Sequence, residues 1–219
     1  MSKLPDIKAP SLPLATQEYS SSQQDQYSRA LRLYFNTIDS DMNQVIADGG
    51  GHWISNPHIS AYDTTNQYAT ADNTPTLILW NTLETAEGFV LNPSGSATAG
   101  YNGIYKIDYS LQLANTDNAV HDVVVWLRVD GADVVGSGTS FSIPARKSAG
   151  VPTYICAYSS VTFAIDAGQD IELYWATGKA YSTTGPVNGV YMPYIAAQTV
   201  PYAHPSIPSA VGSITFVSR

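Results

Sequence analysis

Between Tyr105 and Leu113 every second residue is apolar (Tyr105, Ile107, Tyr109, Leu111, Leu113), and Lys106, Asp108, Ser110 and Gln112 between them are polar. This period of two predicts a β-strand with one buried and one wet face. After the polar connection Asn115 to Asn118 the chain returns through Val123, Val124, Val125, Trp126, Leu127 and Val129, a β-branched and aromatic run expected to be covered on both sides. Gly103 to Gly131 therefore reads as a β-hairpin. Asp130-Gly131 accepts the positive φ angles of a tight turn, so Ala132 to Val135 should leave it as a further short strand.

The same alternation of strand and turn predicts strands over 58–64, 76–82, 87–92, 140–143, 153–165, 170–177, 189–198 and 209–218. Turn residues separate them, as at Asn92-Pro-Ser-Gly95, Ala167-Gly168 and Thr184-Gly-Pro186. So many strands without helices imply two packed sheets. The connection from Tyr191 to Ser209, with four prolines, reads as a surface excursion before the last strand.

One stretch has a different period. From Gln23 to Ala47 the apolar positions Tyr27, Leu31, Tyr34, Ile38, Met42 and Val45 recur every three or four residues, which predicts a helix with a single narrow stripe. Such a stripe suits a seam between parallel helices, or one face of a helix lying on its own domain. Asp48 to Gly51 ends it with a glycine joint. Before the helix, Pro5, Pro10 and Pro13 punctuate isolated apolar residues. That segment is either a disordered tail or an extended arm in which Leu4, Ile7, Leu12, Leu14 and Tyr19 fill pockets on another protein. The expected organisation is an arm over 1–22, helix and linker over 23–51, and a β domain over 52–219.

Composition narrows the functional classes. Only 13% of the 219 residues are charged, with 15 tyrosines, which suits strands joined by polar turns. A net charge of −8, with the ten basic residues scattered, argues against nucleic acid as partner. Neither a membrane-length apolar run nor a signal-peptide core is present, so synthesis in a cytosol, and no membrane partner, is the expectation. The single cysteine, Cys156, lies in an apolar run and is expected to be a buried core thiol.

Candidate chemistry is sparse. His52 and His58 have no carboxylate or cysteine at ligand spacing, and His204 has no nearby sequence partner. His121 and Asp122 are adjacent in a strand and point to opposite faces, so they cannot form a dyad with each other. Asp166 and Asp170 flank Gly168, an arrangement that reads as a polar turn or, more sharply, as a calcium site. Glu84, Glu87 and Glu172 show no spacing that tests a glycosidase pair. No nucleophile elbow, zinc-protease or phosphate-loop motif occurs, and the expectation is a non-enzymatic protein without metal or cofactor.

Several segments carry a resemblance. Gly103-Ile-Tyr105, Trp126 to Gly131, Val161 to Trp175 and Ser213 to Val217 resemble successive strands of the C1q/tumour-necrosis-factor jelly roll, over roughly Trp53 to Arg219. Within that group, QLANTDNAVHDVVVWLRVDGADV and the helical stretch Tyr27 to Asn36 after a Pro-rich arm are similar to virion proteins of tailed bacteriophages, particularly those of marine bacteria. The resemblance implies an all-β jelly-roll sandwich that trimerises through one sheet. By analogy with that sheet, Tyr105, Ile107, Tyr109, Leu111, Tyr158, Phe163 and Phe216 are expected to line the trimer axis. It also implies a virion location, made in the host cytoplasm, with portal, tail or capsid proteins as partners and a host surface glycan as a further one. A trimeric lectin of the same fold is the alternative function.

Overall fold

The computed structural model describes residues 20–46, 56–182 and 188–218. The chain divides into two units, Met1–Asn56 and Pro57–Arg219. The proposed docking residues Leu4, Ile7, Leu12, Leu14 and Tyr19, together with His52 and Trp53, lie outside the described residues.

In the first unit the 3.6-residue period forms helix α1, Ser21–Ile46. Ser20 caps it: its Oγ accepts the Gln23 amide at 3.4 Å and its carbonyl the Gln24 amide at 3.1 Å. Along the expected seam, Leu31, Tyr34 and Ile38 are half-buried while Tyr27 and Met42 are exposed; the Val45 side chain lies outside the described set. Leu33 and Phe35, off the stripe, are also exposed, so apolar surface extends beyond one narrow line.

The second unit is all strand and turn. Its elements are β1 His58–Asp63, β2 Gln67–Tyr68, β3 Thr76–Leu77, β4 Thr82–Glu87, β5 Phe89–Leu91, β6 Ala97–Ala99, β7 Gly103–Asn115, β8 His121–Val129, β9 Ala132–Asp133, β10 Thr139–Ile143, β11 Thr153–Ile165, β12 Asp170–Thr177, β13 Val190–Met192 and β14 Ala210–Ser218. They make two antiparallel sheets. Sheet A has the order β4-β1-β14-β7-β11, with β13 and β2 continuing beside the far end of β7. Sheet B has the order β10-β8-β12-β6-β5, with β3 on β12 and β9 on β8. Strands β1, β14, β7 and β11 thus face β6, β12, β8 and β10, and the chain passes repeatedly from one sheet to the other. This is jelly-roll connectivity.

The hairpin expected over Gly103 to Gly131 is not formed. β7 pairs with β11 and β14, whereas β8 pairs with β10 and β12 in the opposite sheet. Alternation specifies which face of a strand is buried, but two strands can satisfy it equally well by facing each other across a sandwich as by lying side by side. Here Tyr105 to Leu113 of β7 and Val123, Val125 and Leu127 of β8 meet in the same core. The crossing is organised by Asn115, whose side chain is fully buried. Its Nδ2 donates to the carbonyls of Ala119 at 2.8 Å and Pro144 at 3.0 Å, and its Oδ1 accepts the Asp117 amide at 2.8 Å. The outer face of β8 is only partly covered, since Val124 is exposed and Trp126 half-buried.

Trp175, Tyr105, Tyr109 and Leu111 are among the largest wholly buried side chains. Tyr105 packs edge-on against Phe89 and Phe216, with centroids 5.2 and 5.6 Å away. Close packing there explains Gly103, where a Cβ would lie 2.5 Å from the Phe216 ring.

Two expected strands are cut short for identifiable reasons. The run 76–82 breaks after Leu77 because the Gln67 side chain takes over the backbone of Leu79, accepting its N–H at 2.8 Å and donating to its carbonyl at 3.0 Å. The run 189–198 ends at Met192 because Pro193 cannot donate to a ladder. Beyond it, bridges Ile195↔Ile207 and Gln198↔His204 hold the surface excursion together. Asp130 and Gly131 have φ of 50° and 77°, forming the expected tight turn between β8 and β9.

Candidate functional site

The edges of the two sheets differ in how they are protected. β5 has three residues and β10 five, and β4 carries Glu84 and Glu87. Short length and charge both discourage strand addition from outside. β11 has neither defence. It is 13 residues long, contains no charged residue, and pairs along its whole length with β7 on one side only. Among the described residues no strand pairs with its other edge; contact with β10 across the sandwich includes the Thr139 and Ser159 hydroxyls, 3.1 Å apart.

Strand parity divides β11 into two sets. Ile155, Ala157, Val161, Phe163 and Ile165 point inward, and Tyr154, Cys156, Tyr158, Ser160 and Thr162 point out. Tyr158 is 59% exposed and Tyr154 47%. A row across the sheet continues from Tyr154 through its register partner Ala114 to Tyr191 and then Tyr68. Tyr68 stacks on Tyr191 at 5.7 Å, and Tyr181 joins at 4.7 Å from Tyr191. Burial, reinforced by the neighbouring Tyr154, Tyr181 and Tyr68, pushes the Tyr191 phenol from its usual 10.0 up to about 12. The face is therefore broad, aromatic and neutral over most of its area.

Its polar part is already paired. Asp108 accepts the Tyr158 hydroxyl at 2.9 Å and holds Lys106 at 2.9 Å. Burial acts to raise the Asp108 pKa, but the bonds from Lys106, Ser160 and Tyr158 outweigh it and hold the carboxyl below its ordinary value.

Most of the expected axis residues do not lie here. Tyr105, Ile107, Tyr109, Leu111 and Phe216 point between the sheets and are at most 6% exposed, so they form the chain's own core rather than an interface. Phe163 also points inward and is half-buried. Only Tyr158 of that set faces outward. The core face of β7 was the conspicuous one in sequence, yet a sheet binding another molecule must use its opposite face. Tyr154, Tyr68, Tyr181 and Tyr191 were missed; the uncharged length of β11 was the available signal for Tyr154. Cys156 is likewise exposed on this face, 3.1 Å from the Ser110 Oγ, and is not the buried thiol expected. The register with β7 assigns it the outward parity.

The chemistry-bearing residues remain dispersed. His121 Nε2 lies 2.7 Å from the Asp117 carboxylate across the β7–β8 connection, and the bond from His121 is the main cause holding the Asp117 pKa down. Asp170 accepts bonds from Thr98 and Asn92, while Asp130 accepts from Gln169 and the Asp170 amide, so these carboxylates brace the turn. Glu84 accepts the Ser60 hydroxyl in sheet A, whereas Glu172 sits in sheet B. Among the described residues no three His, Cys, Asp or Glu side chains group as metal ligands.

No protein-family model matches the chain. No curated protein matches it either. Among solved structures it is similar to one titled "Structure of Eiger TNF from S. frugiperda", at 10% identity and a TM-score of 0.44, over 75% of this chain and 94% of that one.

Proposed function

We propose that this jelly-roll protein is a non-enzymatic structural component of a tailed-bacteriophage particle, a homotrimer that assembles through the outer face of sheet A. The observation that carries the assembly reading is β11, a long, uncharged strand with one unpaired edge beside a tyrosine-rich face. An exposed edge of this kind aggregates unless it is covered. Setting the β11 edge of one copy on the tyrosine face of the next is a heterologous contact, and such a contact leaves no copy uncovered only if the rotation closes into a ring. Three copies is the number that the C1q/tumour-necrosis-factor resemblance implies. The likeness of Gln112 to Val134 and of Tyr27 to Asn36 to phage virion proteins supports the location. In this reading the 1–22 arm and α1 attach the ring to a portal, tail or capsid partner.

Static light scattering tests the assembly: the full chain should give three times its monomer mass of 23.5 kDa. A mass equal to the monomer refutes it. Deleting residues 1–47 should leave a mass three times that of the truncated monomer while abolishing attachment to particles in a reconstitution assay, and wild-type occupancy of the truncated protein would overturn the anchoring role.

A further inference from the structure

We infer that the interior of the sandwich is a binding site for a small apolar molecule, held in a cavity between the sheets that Trp80 closes on one side. The cavity follows from where the small residues fall. Packed sheets lie about 10 Å apart, and large side chains from both inner faces normally fill that distance. Here the inward positions include Ala61 of β1 and Gly212 of β14 in sheet A, and Ala97 of β6 in sheet B, all bordering one space. None of these residues reaches beyond Cβ. A cavity of about 40 Å³ results, walled also by Ile59, Ile107, Leu127, Leu173 and Ile214.

Trp80 stands in for the side chains that β1 and β14 lack. It lies on the connection that leaves β3 in sheet B for β4, the edge strand of sheet A. Its six-membered ring takes the place of a Gly212 side chain, since a Cβ on Gly212 would lie 2.8 Å from Trp80 Cη2. The indole is half-buried, so it reaches from solvent to the cavity wall. The walls themselves keep some accessible area: Ile59, Ala61, Ala97, Ile107 and Ile214 retain 4–8% exposure. Further along β7 and β8, Leu111, Leu113, Val123 and Val125 have 0%. The core is thus close-packed at one end and open to a guest at the other.

The lining selects the ligand. Asp108, Glu172 and Ser213 border the cavity, but strand parity turns their side chains outward and their backbones belong to the ladders. Tyr109 contributes its ring, while its hydroxyl is directed toward Thr139 and Ser159. A water molecule needs about two to four polar partners to settle in such a space, whereas a dry apolar cavity takes xenon or a hydrocarbon. At about 40 Å³ the cavity suits a guest the size of one xenon atom or of ethane. Benzene, which occupies a cavity of about 150 Å³, is excluded while Trp80 is in place. The site lies within one chain, so its occupancy is independent of the assembly proposed above.

The test is carbon-13 methyl NMR of the full-length protein under increasing xenon pressure. The methyl signals of Ile59, Ile107, Leu127, Leu173 and Ile214 should shift and saturate, while those of the exposed Val120 and Val135 show no saturable shift. Ala61→Val and Ala97→Val fill the cavity from opposite sheets, and each should abolish the saturable shift; if one fails to fold the other decides, and the wild-type titration decides if neither folds. Benzene should leave the wild-type spectrum unmoved and bind once Trp80→Ala removes the closing ring. Wall methyls that do not respond to xenon overturn the proposal. So does a wild-type response in a folded filled variant, a water-to-methyl Overhauser effect at the cavity walls, or benzene binding with Trp80 in place.

Discussion

The outer faces of the two sheets both carry aromatic residues and arrive at different surfaces. On sheet A, Tyr68, Tyr154, Tyr158, Tyr181 and Tyr191 spread beside an unpaired, uncharged strand edge, among polar residues that include the Asp108–Lys106 pair. On sheet B, Trp126 and Tyr174 are tied down by an arginine and an aspartate. The difference lies in what accompanies the rings. Aromatic area that has few committed polar partners and adjoins open backbone is lowest in free energy when another protein covers it. Rings whose edges are already hydrogen-bonded and whose faces hold a paired cation have less to gain from burial, and an interface there would desolvate the ion pair. In the proposed assembly, sheet A is thus the face that is covered and sheet B the face left to solvent.

Both faces hang on the core between them, so the largest effect comes from breaking that. Trp175→Ala, at a wholly buried site, should cost about 3–5 kcal/mol and abolish both assembly and the ring packing at Trp126; denaturant unfolding measures it. A stability change under about 1 kcal/mol, well below the cost of truncating a buried tryptophan, would contradict the packing described.

The comparison itself is broken by placing one charge on each face. Tyr158→Asp, on the exposed side of β11, should reduce the mass in solution to that of the monomer, because a carboxylate would be buried unpaired in the contact. Val124→Asp, equally outward on β8, should leave the mass unchanged. Equal behaviour of the two variants would remove the distinction between the faces.

The smallest effect sharpens the description of sheet A. Tyr191 has a folded pKa raised from 10.0 to about 12, so below pH 10 both folded and unfolded states keep the proton and its contribution is fully present. Between these values the unfolded chain ionises first, and stability falls as pH rises, until the contribution is lost above the folded value. Tyr191→Phe should flatten that alkaline decline in melting temperature. An unchanged slope would mean the phenol is not desolvated by its neighbours.

Much of the architecture was legible from local pattern. The period of two marked both long strands, with 153–165 and 170–177 matching β11 and β12 residue for residue, and Asp130-Gly131 announced its turn because few dipeptides accept two positive φ angles in succession. Helix α1 was visible for the same reason, as a stripe at helical spacing, although its start at Ser21 behind the Ser20 cap was not read from the sequence. These features depend on residues near one another in the chain. What the tertiary structure alone decided is which strand lies beside which. β7 and β8 read as neighbours and are in opposite sheets, since burying an apolar face is satisfied by either arrangement and the choice depends on strands far along the chain, as in Ile107 pairing with Val161 and with Ile214. The outer faces follow the same rule. Alternation showed that Tyr105 to Leu113 turn inward, but the row Tyr154, Ala114, Tyr191, Tyr68 and the meeting of Arg128 with Asp133 and Tyr174 exist only because register aligns residues from separate strands, and register is a property of the folded sheet rather than of any one segment.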